Sequence, residues 1–188
     1  MYKATTSLQV QGLSQQELIE GCIRGNRQST AALYSSFSPT MFGVCLRYAN
    51  DYHSAEDILQ EGFIKVFNNL DRFRGEGSFE GWMKRIFINT AIEYYRKSTN
   101  HNGHVELENV STQPTQERAL ENLATQELLK LIQRLSPGYR AVFNLYVIEG
   151  YSHKEIAKVL EISEGTSKSQ LARARAILRK MVKTLNQR

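Results

Sequence analysis

A chain of 188 residues with 41% apolar side chains can bury one core or two small ones, and no apolar run approaches a membrane span. The net charge is +5, yet His153 to Arg188 alone carries nine Lys or Arg against three Glu, a net of +6, so the remainder is near neutral. A basic block confined to one segment is the footprint of a polyanionic partner. Cys22 and Cys45 stand apart without a CxxC and read as reduced, buried thiols; the N-terminal MYKATTSLQVQG lacks the apolar stretch of a signal peptide, so the expected compartment is the cytoplasm.

Nearly every patterned segment has helical period. Residues 1–13 read as a disordered tail. Ser14 with Glu17 forms a capping box that opens a short helix ending near Gly25. Residues 28 to 49 read as helix with a break at Pro39, after which Met41, Val44, Cys45 and Tyr48 mark one face. Ser54 is expected to open a third helix whose apolar stripe is Leu59, Phe63, Val66, Phe67 and Leu70. Its other face shows Glu56, Asp57, Gln60 and Glu61. Acidic residues in a first turn complement the helix dipole, but Glu61 lies beyond that turn, and phosphate would repel this face. It suits a protein partner.

Gly75 and Gly77 mark a turn, and Ser78 caps a long helix running towards Lys97. In it Phe79, Trp82, Phe87, Tyr94 and Tyr95 are interleaved with Lys84, Arg85, Arg96 and Lys97. Arg85, Asn89 and Arg96 fall at offsets of 0, 4 and 11 and share a face. Cations that hold phosphates beside rings and amides that receive bases suit a single strand. Phe79, Met83 and Ile86 read as core.

Residues 98–116, STNHNGHVELENVSTQPTQ, have little apolar content and no period, and read as a flexible linker. His101 and His104 lie within it without the further ligands a metal needs. From Glu117 a second helical block begins, with Leu120, Leu123, Leu128, Leu131 and Leu135 as its first stripe. Ser136-Pro137 opens a helix that Gly150 ends. Ser152 and Glu155 form a second capping box; Glu161 and Ile162 make a turn around a small Ala157 expected to be buried, and Ser163 caps a last helix. This is the layout of a helix-turn-helix, whose second helix, with Lys168, Gln170, Arg173 and Arg175, has the long donors that enter a major groove.

The segments AEDILQEGFIKVF (55–67), LDRFRGEGSFEGWMKRIFINTAIEYYRK (70–97), LSPGYRAVFNLYVIEGYSHKEIAKVLEIS (135–163) and EGTSKSQLARAR (164–175), in this order and spacing, resemble the sigma factors of the extracytoplasmic-function type. The resemblance spans nearly all of residues 14 to 183. It implies an all-α chain of two small domains, sigma region 2 over 14–97 and sigma region 4 over 117–188. It also implies binding to core RNA polymerase through the clamp helices and flap, promoter DNA as the second partner, and an anti-sigma protein, which the family usually has. Carried over by position, it implies that Asp57, Gln60 and Glu61 bind polymerase. Asn89 matches a loop that captures a flipped base of the −10 element, with Trp82, Arg85, Tyr94, Tyr95 and Arg96 supporting strand opening. Lys168, Ser169, Gln170, Arg173 and Arg175 match the −35 recognition helix. One departure stands out: the family commonly has Val then Arg after Gly165-Thr166, and here Ser167-Lys168 follows. Lys is the poorer bidentate reader of guanine.

The other class that fits is a helix-turn-helix regulator with an N-terminal sensing or dimerisation domain, which has no need of the aromatic–basic helix or the acidic one. An enzyme is not indicated: the sequence has no phosphate loop, no metal-spaced set and no nucleophile–base pair along its motifs, and no cofactor is called for.

Overall fold

The computed structural model describes residues 14–101 and 123–185. Eight α-helices, with no strand among the described residues, run in the order α1 (Gln15–Ile23), α2 (Arg27–Tyr48), α3 (Tyr52–Phe67), α4 (Phe79–His101), α5 (Leu123–Gln133), α6 (Pro137–Phe143), α7 (His153–Leu160) and α8 (Glu164–Leu185). A short 3₁₀ turn (Leu70–Arg72) follows α3, and a π turn (Asn144–Ile148) continues α6. The tail 1–13 and residues 102–116 of the expected linker lie outside the described residues.

Helices α1 to α4 form the first domain around Leu33, Met41, Ile58, Met83 and Phe87, all essentially buried. Phe63 is the hub: its ring packs edge-on against Phe87 at 5.2 Å and lies tilted against Tyr34 at 4.6 Å. Helices α3 and α4 approach so closely at Gly62 that a Cβ there would overlap the Phe87 ring. Two boundaries differ from those expected. Asp51, not Ser54, caps α3 by accepting from the Ser54 amide at 2.7 Å. Helix α4 runs on to His101, because no Gly or Pro interrupts it before Gly103.

Pro39 does not break α2. The stripe Leu33, Phe37, Met41 and Val44 passes it without interruption and is fully buried. Pro39 and Ser35 both lie on the exposed side, so the carbonyl that the missing N–H leaves bare is that of a solvent-facing residue.

The second domain packs α6 and α7 on α8. Leu131, Leu135, Ala174 and Leu178 form one core cluster, and Leu145, Ile156, Leu160 and Leu171 extend the other. Leu128, expected in the stripe of α5, is exposed. Ser136 precedes Pro137 at the helix start, although its side chain makes no cap hydrogen bond. The Ser152–Glu155 capping box forms, and Glu161 turns the chain in the left-handed region at φ 56°. Ala157 is half-buried rather than buried; its carbonyl accepts the Ile162 amide and closes the turn.

The two domains pack against each other. Gln133 Nε2 donates to the Leu46 carbonyl at 3.0 Å and Asn144 Nδ2 to the Arg47 carbonyl at 2.6 Å, so the second domain caps the C-terminus of α2. Arg140, almost fully buried, donates to Asn50 and to the Gln133 carbonyl. Burial pulls its guanidinium down to about 10, against the opposing pull of Asp51.

Candidate nucleic-acid and partner interfaces

Three groups of the residues singled out above fall on three separate elements. On α3, Asp57, Gln60 and Glu61 are all exposed, with Ile58, Leu59 and Phe63 buried behind them. The spacing explains this, because positions three and four apart share a helix face. The same face carries Ile64, an exposed apolar residue that lies off the buried stripe Leu59–Phe63–Val66, so the apolar period alone does not mark it. An apolar residue ringed by acids is the composition of a protein-binding surface.

On α4 the candidate residues divide. Arg85 and Asn89 are exposed on the outward face and Arg96 is half-exposed beside it. Asn89 sits in the middle of a continuous helix, not in a loop, since Ile86 to Glu93 contains nothing that interrupts helical hydrogen bonding. It lines a pocket of about 290 Å³ with Trp82, Ile86, Asn69, Arg72 and Glu93. Trp82 forms one wall, held by Phe79 at 5.6 Å and Phe73 at 5.5 Å. Lys65 bridges this pocket to the acidic face, 2.7 Å from Glu93 and 3.6 Å from Glu61.

Tyr94 and Tyr95 are placed differently. The Tyr94 hydroxyl is spent on Ser54 at 3.1 Å inside the first domain. Tyr95 is half-buried at the domain boundary, where burial raises the pKa of its phenol, and its hydroxyl lies beside Gly138 of the second domain. Arg96 pairs with Glu161 in the turn of the helix-turn-helix. The sequence places these side chains on α4 but says nothing of the second domain's position.

On α8, Ser167, Leu171, Ala174 and Leu178 are buried, so Lys168, Ser169, Arg173 and Arg175 project outward. Gln170 is half-buried towards α6. Arg173 donates to the Tyr139 hydroxyl at 3.2 Å. Arg175 lies over the Tyr146 ring at 5.6 Å, and His153 stacks on that ring at 4.6 Å while its Nδ1 meets the Ser167 hydroxyl at 2.9 Å. Tyr146 and His153 carried no sequence signal for this stack; it arises where the π turn after α6 meets the start of α7 beside α8.

Among the described residues no group of His, Cys, Asp and Glu could hold a metal ion, and no helix is long and apolar enough to cross a membrane. Fold and surfaces together define an all-helical, two-domain protein with a helix-turn-helix and a separate aromatic–basic helix. The sigma-70 region 2 family matches residues 33–101, and the sigma-70 region 4 family matches residues 125–178. RNA polymerase sigma-H factor of Pseudomonas aeruginosa is 30% identical, over 90% of this chain and 94% of its own. The ECF RNA polymerase sigma-E factor of Escherichia coli is 29% identical over 94% of this chain and 98% of its own. A solved structure of the sigma factor RpoE with the anti-sigma factor NepR from Bartonella quintana is 25% identical, covers 80% of this chain and 94% of that one, and has a TM-score of 0.49. The chain belongs to the sigma-70 family of RNA polymerase sigma factors, in its extracytoplasmic-function branch. Its function is to direct core polymerase to promoters and initiate transcription.

Proposed function

We propose a division of labour among the three surfaces. Asp57, Gln60 and Glu61 dock core polymerase. The outward face of α4, with Arg85, Asn89 and Arg96 beside Trp82, receives the opened strand at the −10 element. Lys168, Ser169, Gln170, Arg173 and Arg175 on α8 read the −35 duplex. Tyr94 and Tyr95 act from behind α4, holding it against α3 and the second domain. The observation that carries this reading is the split within α4: Phe79 and Phe87 are core, yet Arg85 and Asn89 of the same helix stand exposed beside a pocket walled by Trp82. The buried and exposed faces are those of any amphipathic helix; the cations and the amide set next to an indole wall are what suit this one to a single strand.

The two domains act as separate readers, region 2 from residue 14 and region 4 from residue 117, and polymerase holds both on one promoter, so that weak contacts add as effective concentration. No step requires the chain to do covalent chemistry, its place of action is the cytoplasm, and an anti-sigma protein is its natural regulator. The test is transcription in vitro with core polymerase on a randomised promoter library, with start sites mapped. Wild-type protein should select paired upstream and downstream elements. Arg173→Ala should relax the upstream element alone, and Asn89→Ala the downstream element alone; variants that relax neither would remove the assignment.

A further inference from the structure

Two cations on different helices of region 2 converge on one carboxylate of region 4. Arg47, in the last turn of α2, donates through Nη2 to Glu149 Oε1 at 2.8 Å, and Lys84 Nζ of α4 lies 3.9 Å from Oε2. The Glu149 side chain is only 8% exposed, while those of Arg47 and Lys84 are 21% and 37% exposed. We propose that Arg47 and Lys84 form a phosphate-binding pair for a phosphodiester of promoter DNA, and that Glu149 occupies it while the two domains are closed.

Two cations this close repel unless an anion sits between them, and a carboxylate offers what a phosphodiester offers: one negative charge and two oxygens. Here that anion belongs to a different domain, so it leaves when region 4 swings away. The pair is then left without counter-charge and open to solvent, so its hold on a phosphodiester weakens as salt rises. Arg47 also keeps Nε buried without a protein partner, so its donors are not exhausted by Glu149. Lys84 stands about 100° round α4 from Arg85, so the phosphodiester this pair would take is one where the strand leaves the Arg85–Asn89 face and turns round the helix. This last step rests on the reading of α4 given above. The consequence is coupling: DNA backbone and region 4 compete for the same two cations, so domain opening and strand binding promote each other.

The experiment uses the full chain and a fluorescent single-stranded 12-mer, read by anisotropy over a salt series, with X-ray scattering on each variant. Glu149→Gln should bind the strand about 3- to 10-fold tighter, with a salt dependence steeper by about one ion per phosphate gained. Adding Arg47→Gln and Lys84→Gln should cancel that gain. If scattering shows Glu149→Gln still closed, Asn144→Asp is added to remove the cross-domain hydrogen bond, and the same cancellation is required. A gain that survives loss of both cations, or no gain in an opened chain, overturns the proposal. So does displacement by polyglutamate as effective as by unlabelled strand. In the polymerase holoenzyme, Arg47→Gln with Lys84→Gln should lower the salt slope of open-complex formation; an unchanged slope also overturns it. Arg85→Ala separates the two readings. If Arg85→Ala weakens strand binding while the pair variants do not, the α4 assignment stands and this inference fails; if the pair variants act and Arg85→Ala is silent, the reverse holds.

Discussion

Asn144 of region 4 donates to the Arg47 carbonyl of region 2 at 2.6 Å, so a helix of one domain is finished by a side chain of the other. The bond is partly buried and spans two domains. Asn144→Asp removes the donor and sets a carboxylate against a carbonyl, at a cost of about 1–3 kcal/mol in the closed arrangement. The expected outcome is a larger radius of gyration by X-ray scattering with unchanged helix content by circular dichroism. An unchanged radius would mean that the interface does not depend on this bond.

The acidic face of α3 should bind polymerase through charge at the rim and through Ile64 at its centre. Asp57→Arg with Glu61→Arg should abolish pull-down of core polymerase. Ile64→Ala should weaken it by about 1–2 kcal/mol, the scale of an apolar anchor. None of these residues is buried, so thermal unfolding should hardly change. Retained binding by the double charge reversal would remove this face from the interface.

The two DNA-reading surfaces should fail separately. Arg173→Ala should weaken closed-complex formation on duplex promoter by about 1–3 kcal/mol if its guanidinium leaves Tyr139 for a base edge. Asn89→Ala should leave the closed complex intact, slow strand opening and alter preference at one −10 position. Footprinting with permanganate probing, on duplex and pre-melted templates, distinguishes the two. Normal opening by Asn89→Ala would remove it from strand capture.

Gly62 sets the α3–α4 distance. Gly62→Ala drives a methyl into the Phe87 ring, which also packs on Phe63, so neither ring has room to retreat. Overpacking of this kind costs about 1–3 kcal/mol. The variant should unfold several degrees lower in a thermal melt, and Phe87→Leu in the same chain should restore part of the loss.

Helix α7 carries a pH dependence. The hydrogen bonds from Ser152 hold the Glu155 carboxyl below its usual range. A group with a depressed folded-state pKa stabilises above its unfolded pKa, and the contribution is lost as pH falls through the folded value. The wild-type melting temperature should therefore fall more steeply than that of Glu155→Gln on acidification below about pH 4.5, since Gln caps without titrating. Parallel curves would show that the box adds nothing to stability.

Element type was legible because it rests on local rules. Both capping boxes, Pro137 at a helix start and the period of Leu59, Phe63 and Val66 are written within a few residues of where they act. The exposed faces of α3 and α8 followed from the same periods. What the sequence left unread is non-local. Pro39 looks like a break unless one knows that it faces solvent. Asn89 suggests a loop by analogy, while nothing local interrupts the helix around it. The docking of region 4 on region 2 depends on Arg140, Asn144 and Glu149 meeting residues roughly a hundred positions away. No periodicity encodes such a meeting, and ordinary charge patterning reads those residues as surface.

The borrowed ending of α2 makes the molecule its own gauge. The carbonyls of Leu46 and Arg47 keep their side-chain partners only while Gln133 and Asn144 are in place, so the last turn of α2 exchanges them for water and loosens when the domains part. Its amides should then exchange with deuterium in proportion to the open population, while those around Leu33 and Phe37 stay protected. An exchange measurement on residues 46–50 would report, in one chain of unaltered sequence, what fraction of the protein is open.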